Sequence, residues 1–348
     1  MIDLELFDFF TLSFLSFLVV GITTPFMKKI ALRYEVVDKP VESHKTHTKA
    51  VPYLGGIAII IGVVLVTYFS SLVSNFTRES VILASTILVP AMIMGLVGLI
   101  DDMINLNPWP RFIAQSLFGF AISYLLVSSN TLGSPFGIPW LDILLTSIWI
   151  VGITNSINFF DNIDGGATGA IAITSAFLFY LSWQGEQVLI AAMSIVLAGA
   201  MFGFLVWNKP PARIYLGDAG SLFLGVMIAS LATRFDPNPI NQYASYAIPC
   251  LLLAVPILDT SVAVISRVNR GISPFQGGRD HLSHRLMNLK FTKRQSVLIL
   301  WLLSLFFSLT AVAISYASYP IEGLCAGVAL IVWVFLLAFF LRLKPLTP

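Results

Sequence analysis

The chain has 348 residues, of which 57% are hydrophobic and 11% charged, with a net charge of +2 and a mean hydropathy of +0.87. Soluble domains carry about 25% charged residues, so this composition excludes a soluble globular protein. The deficit of charge runs the whole length, which leaves an all-α, polytopic membrane protein with a single integral membrane domain over residues 1–348.

About 20 apolar residues cross the hydrocarbon of a bilayer. Windows of that kind fall near 10–31, 53–74, 80–100, 111–128, 141–158, 165–183, 187–207, 219–235, 243–266, 296–317 and 321–342. They predict about eleven transmembrane helices. The window at 141–158 is the least regular, because polar residues crowd its C-terminal half. The first run lacks a basic n-region and a small-residue cleavage site, so it is expected to stay as a helix. Cys250 and Cys325 sit in apolar runs without metal-like spacing and are expected to be buried free thiols.

Lys and Arg collect on the cytoplasmic side of a membrane protein. With the N-terminus and its Asp3, Glu5 and Asp8 outside, the inner loops and the cytoplasmic C-terminus receive nearly all the Lys and Arg, from Lys28 to Lys344. Only Arg78 and Arg234 then lie near outer loops. The inner segments are 33–52, 101–110, 158–165, 208–218, 267–295 and the tail, and they hold almost everything polar. Function is expected at the cytoplasmic face.

The first inner loop, Asp38 to Gly56, carries His44, Lys45 and His47. The second opens on Asp101-Asp102 and continues through Asn105 to Arg111. Adjacent carboxylates repel unless a cation is near, so the pair reads either as hydrated surface acids or as a metal- or phosphate-handling site beside Arg111. Asn155, Asn158, Asp161 and Asp164 then follow at three-residue steps and lead into Gly165-Gly166. Such residues also serve as helix caps, but a cap needs one polar side chain and four stand here. Asp218 lies between Gly217 and Gly220 at the start of the next apolar run. There it fits an N-cap, or a Mg²⁺ ligand beside a helix end suited to phosphate.

The longest inner loop holds Arg267, Arg270, Arg279, Asp280, His281, Ser283, His284 and Arg285. A basic inner loop can merely obey topology, yet two histidines three residues apart among arginines suit an anionic ligand. Zinc is disfavoured, since no further soft ligands stand nearby. The chain has no Walker loop, Gly-x-Ser-x-Gly elbow or His-Glu-x-x-His. Acids, a divalent cation and basic loops at a bilayer surface point to phosphoryl transfer between a nucleotide and a lipid.

These motifs, His47 to Gly56, Asp101-Asp102, Asn155 to Gly169, Gly217 to Ser221 and His281 to Arg285, resemble in order and topology those of the polyprenyl-phosphate N-acetylhexosamine-1-phosphate transferases. The resemblance implies transfer of N-acetylhexosamine-1-phosphate from a UDP-sugar to undecaprenyl phosphate, with release of UMP and with Mg²⁺ as cofactor (Mn²⁺ as a substitute). It implies Mg²⁺ on Asp218 and Asn158, a catalytic acid set of Asp101, Asp102, Asp161 and Asp218, and phosphate contacts from Lys45 and Arg111. Asp164 would lie near the uridine, and Arg267, Arg270, His281 and His284 would line the nucleotide-sugar side. His47, Asn105 and Asn155 complete the substrate-binding set. The Asp280 to Arg285 segment looks closer to the branch that starts O-antigen, enterobacterial common antigen or wall teichoic acid synthesis than to the phospho-MurNAc-pentapeptide translocases, which makes UDP-GlcNAc the expected donor, with a GalNAc or deoxy-amino sugar donor as the alternatives. A bacterial cytoplasmic membrane is the expected location and a homodimer a further expectation.

Three positions depart from the family pattern. Asn105 replaces a third acid, Arg111 replaces a common Lys, and Ser283 replaces one imidazole of a His-x-His-His pattern. A cation-coupled transporter is the competing class, and Asp259, inside an apolar run, is the acid that would serve it.

Overall fold

A chain in hydrocarbon can satisfy its backbone N–H and C=O groups only within a helix or a closed barrel, and each long apolar run of the sequence is helical. The computed structural model describes residues 4–38, 51–73, 77–104, 106–128, 137–236, 242–318 and 320–344. In chain order the helices are α1 (Leu6–Arg33), α2 (Gly55–Val73), α3 (Arg78–Ile104), α4 (Pro108–Ser128), α5 (Pro139–Phe160), α6 (Gly166–Gln184) and α7 (Val188–Asn208). They continue as α8 (Gly217–Arg234), α9 (Gln242–Leu252), α10 (Ala254–Asn269), α11 (Leu282–Asn288), α12 (Lys293–Tyr316) and α13 (Ile321–Arg342). Two short strands, β1 (Val37–Asp38) and β2 (Val51–Pro52), pair antiparallel.

Among the described residues, nine helices are long and apolar enough to cross a membrane, or ten if the bent pair α9–α10 is one span. The eleventh expected span is α8, and its shortfall has a physical reason. It runs through the middle of the protein against α2, α3 and α5, with almost every residue buried. A helix that meets protein on all sides needs no lipid-facing apolar surface, so Ser221, Ser230 and Arg234 are tolerated along it. At the other extreme, α13 leaves Leu324, Ile331 and Phe335 largely exposed, as a lipid-facing helix should.

The helices α9 and α10 meet at Leu253 with a bend of 72°. Pro256 has no N–H to give the Leu252 carbonyl four residues back, and the Thr174 hydroxyl donates to that carbonyl instead at 2.7 Å. Both cysteines are free, but neither is buried: Cys250 is exposed and Cys325 half-buried. The expectation of buried thiols fails because an apolar position in a membrane protein can face lipid.

Two glycines set the geometry of the functional end. A Cβ on Gly98 of α3 would lie 2.2 Å from the Asp218 carbonyl, and one on Gly56 of α2 would lie 2.1 Å from the Gly220 nitrogen. Their bare backbones let α2 and α3 close directly on the first turn of α8. Tyr215 N–H donates to the Pro52 carbonyl (2.8 Å) and Gly56 N–H to the Leu216 carbonyl (2.8 Å), tying the segment before α8 to β2 and to the start of α2.

Candidate active site

The end of α3, the start of α4, the α5–α6 turn and the first turn of α8 bring Asp101, Asp102, Asp161, Asp164 and Asp218 together with Arg111. Asp102 reaches from α3 to the N-terminus of α8, where its carboxylate accepts from Asp218 N–H (2.9 Å) and Ala219 N–H (3.1 Å). The helix is therefore capped by a residue more than a hundred positions away, and Asp218 is held at a fixed height. Asp218 accepts from Asn158 Nδ2 at 2.6 Å and from Arg111 Nη1 at 3.0 Å. Asn158 also donates to Ser221 Oγ at 2.9 Å. Arg111 Nη1 donates to Asp101 at 2.5 Å, while Asp101 accepts the Leu106 N–H at 2.7 Å. Both carboxylate bonds of Arg111 run from the one nitrogen, so its planar fork keeps further donors for an anion.

Asp161 is different. It is the C-cap residue of α5, and among the described residues its carboxylate has no hydrogen-bond or ion-pair partner. Burial, and then the carboxylates of Asp218, Asp164 and Asp102, push its carboxyl well above the usual value. The turn that carries it is rigid. Asn208 Oδ1 accepts from Gly165 N–H (3.0 Å) and Thr168 Oγ1 (2.7 Å), and Trp301 Nε1 donates to the Gly165 carbonyl (3.1 Å). Gly165 takes φ +71°, a left-handed conformation that favours glycine.

Asp164 accepts from Ala212 N–H at 3.0 Å and pairs with Lys293 Nζ at 3.0 Å. With Pro210, Pro211, Thr292, Lys293 and Arg294 it lines an open hollow of about 370 Å³. Lys293 and Arg294 begin α12, which Thr292 and Gln295 close with reciprocal hydrogen bonds.

A second polar group lies beside the turn. Arg267 donates to Asp280 at 3.0 Å and to the Pro274 carbonyl at 2.8 Å, and Arg270 also pairs with Asp280. His281 stands between Asp259 (Nδ1, 2.7 Å) and Arg267 (Nε2, 3.2 Å). Arg285 is fully buried and donates to the carbonyls of Asp280, Phe340 and Leu343, which staples α11 to the end of α13. His284 is buried, and that burial, followed by His281, lowers its imidazole to about 4, so it is neutral at pH 7.

Of the residues singled out by sequence, Asp101, Asp102, Asp218, Asn158 and Arg111 join in one bonded cluster, with Asp161 and Asp164 on the adjacent turn. Asn155 stays apart, its amide donating to the Val151 carbonyl of its own helix. Arg267, Arg270 and His281 belong to the second group, with His284 packed against His281. Lys45, His47 and Asn105 lie outside the described residues. Sequence reasoning gives Asn162, Ser221, Asp280 and Lys293 no role in the site, and gives Asp259 one only under the transporter reading. The signal for Asp280 was its place among arginines, and that for Lys293 its place at a helix start, though neither names a partner.

Among the described residues no three His, Cys, Asp or Glu side chains converge closely enough to cage a metal alone. Magnesium does not require that, since it takes one or two protein carboxylates and completes its shell with water and substrate phosphates. The donor set, several carboxylates and an amide around a single guanidinium, is all-oxygen and acid-rich. It fits a hard divalent cation.

Residues 84–236 match the model of glycosyl transferase family 4. A probable undecaprenyl-phosphate N-acetylglucosaminyl 1-phosphate transferase of Bacillus subtilis is 35% identical over 312 residues, covering 87% of this chain and 84% of its own. A decaprenyl-phosphate N-acetylglucosaminephosphotransferase of Mycolicibacterium smegmatis is 32% identical, covering 80% of this chain and 75% of its own. An undecaprenyl-phosphate alpha-N-acetylglucosaminyl 1-phosphate transferase of Escherichia coli K12 is 25% identical, covering 91% and 85%.

Proposed function

Because the chain belongs to glycosyl transferase family 4, on the branch of the polyprenyl-phosphate N-acetylglucosamine-1-phosphate transferases, we propose that it moves GlcNAc-1-phosphate from UDP-GlcNAc to undecaprenyl phosphate. The products are a lipid-linked pyrophosphoryl sugar and UMP. The observation that carries this reading is Asp218, held at the first turn of α8 by Asp102 and flanked by Asn158 and Arg111. A multi-pass membrane protein that gathers acids at one helix end can meet a lipid phosphate and a soluble nucleotide at the same interface. The distribution of Lys and Arg supports placing that end in the cytoplasm, at the inner membrane of a bacterium.

In the proposed reaction an oxygen of the lipid phosphate bonds to the β-phosphorus of UDP-GlcNAc. The bond from that phosphorus to the bridging oxygen breaks, and its electron pair leaves with UMP. Arg111, oriented by Asp101, would anchor a phosphate through its unused donors, and Lys45 and His47 would add contacts. A phosphate monoester is already largely ionised at neutral pH, so the acids act more by positioning than by removing a proton. Asp218 and Asn158 would hold Mg²⁺, with Asp161 nearby. Mg²⁺ bound there would supply charge neutralisation for the pyrophosphate and the leaving UMP. Asp164, Lys293 and Arg294 would face the nucleotide.

The transporter reading loses its support. Asp259 is engaged by three protein donors, including the Leu282 N–H at 2.7 Å, which is unlike an acid that exchanges a cation. The test is UMP release by the purified full-length protein with undecaprenyl phosphate, Mg²⁺ and a panel of UDP-sugars. Release with UDP-GlcNAc that stops when lipid or metal is omitted is expected. Release from no UDP-sugar by folded protein would remove the assignment.

A further inference from the structure

The transfer chemistry makes no use of Asp259, although its side chain has no exposure at all. Its Oδ2 lies 2.7 Å from His281 Nδ1 and 3.1 Å from Asn162 Nδ2, and its Oδ1 accepts the Leu282 N–H at 2.7 Å. On the far edge of the imidazole, Nε2 stands 3.2 Å from Arg267 Nη2. A carboxylate only accepts and a guanidinium only donates. The ring satisfies both neighbours in a single state, with hydrogen on Nδ1 and the lone pair on Nε2. Arg267 is thereby held at each of its nitrogens, by Asp280, the Pro274 carbonyl and His281.

Asn162 extends the same network to the acid turn. It follows Asp161 directly, donates to Asp259, and accepts from the Ser283 hydroxyl. One buried carboxylate therefore touches the α5–α6 turn, the start of α11 and the imidazole that orients Arg267.

We propose that Asp259 is a positioning residue for transfer: it fixes His281 as the Nδ1–H tautomer and, through Asn162, locks the 267–285 segment against the Asp161 turn. Within this segment Arg270 is 40% exposed and paired with Asp280, so the same network holds a cation at the surface for the sugar-nucleotide side. This rests on the proposed donor reading. It assigns His281 and Arg267 to shaping the site, while contact with the donor falls to groups that they orient.

The test begins with wild-type protein in lipid bilayers, labelled with ¹⁵N-histidine. The chain has four histidines, and His281→Gln identifies the signal of His281. The expected spectrum has a protonated Nδ1 and an unprotonated, acceptor Nε2; the opposite tautomer overturns the proposal. In the UMP-release assay, Asp259→Asn should raise the KM for UDP-GlcNAc by on the order of tenfold or more and leave the KM for undecaprenyl phosphate unchanged. The double variant Asp259→Asn/His281→Gln should be no worse than the worse single one. Losses that simply add, or equal rises in both KM values, would overturn the proposal. If Asp259→Asn fails to fold, the tautomer of the wild type decides. If the wild type releases no UMP, the donor reading fails while the tautomer still judges Asp259.

Discussion

Two polar clusters lie side by side in this protein and are built on opposite rules. Around Asp280 and Asp259 each carboxylate is matched: Asp280 by Arg267 and Arg270, Asp259 by His281, Asn162 and a backbone N–H. Around Asp218 the acids outnumber the cations, Arg111 is shared between Asp101 and Asp218, and among the described residues Asp161 has no partner. Buried charge is tolerated only when it is paired. The matched cluster is complete as it stands and serves as scaffold. The unmatched one is complete only with a cation and phosphates, which is the condition of a site.

The contrast can be broken at its strongest point first. Asp218→Asn should lower turnover by about 10³-fold or more in protein that still elutes as a folded species, checked by UMP release and by size-exclusion chromatography. Near-normal turnover would return Asp218 to the scaffold class. Asp280→Ala should act the other way, through stability. It strips the buried Arg267 of its counter-charge, at a cost of about 3–5 kcal/mol, and should lower the melting temperature by on the order of 5–10 °C.

Asp161→Asn sharpens the comparison through pH. The folded-state value of Asp161 is raised, so between the ordinary carboxylate value and that raised value the folded protein binds a proton that the unfolded chain has released. Stability from this group is therefore fully present below the unfolded value and is lost as pH rises through the folded one. Without divalent cation, Asp161→Asn should melt above wild type at neutral pH, and the gap should close at acid pH, as thermal melts across a pH series would read. The smallest effect is expected at Thr292→Ala, which removes the cap of α12 and should cost about 1 kcal/mol with a modest rise in KM for the nucleotide sugar.

The apolar windows were legible because a helix in lipid must be apolar, so ten of the eleven coincide with helices or a bent helix pair that pass as spans. What could not be read was which helix escapes lipid. The window at 219–235 looks like its neighbours, and only its packing partners show that α8 stands inside the protein. The acid cluster was legible for the converse reason: acids and amides in a chain this apolar are costly, so Asp101, Asp102, Asn158 and Asp218 stood out. Their pairing across more than a hundred positions was not legible, since no local spacing predicts that Asp102 caps α8.

Asp259 was read as an acid that could serve transport because it sits in an apolar run. Its partners come from Asn162, His281 and Leu282, which no helical or strand period connects to it. Asn162 falls outside the three-residue spacing of the acid turn, and Lys293 reads as one more basic residue of an inner loop. In each case the side chain's meaning lies in a long-range contact.

The central claim, that the unmatched acids await a divalent cation, is tested most directly by the melting temperature of the wild type and of Asp218→Asn in UDP-GlcNAc alone and in UDP-GlcNAc with Mg²⁺. Ligand that binds only the folded state raises its stability by mass action. The account predicts that Mg²⁺ raises the wild-type midpoint and leaves Asp218→Asn unmoved. An equal rise in both proteins, or no rise in either, would contradict it.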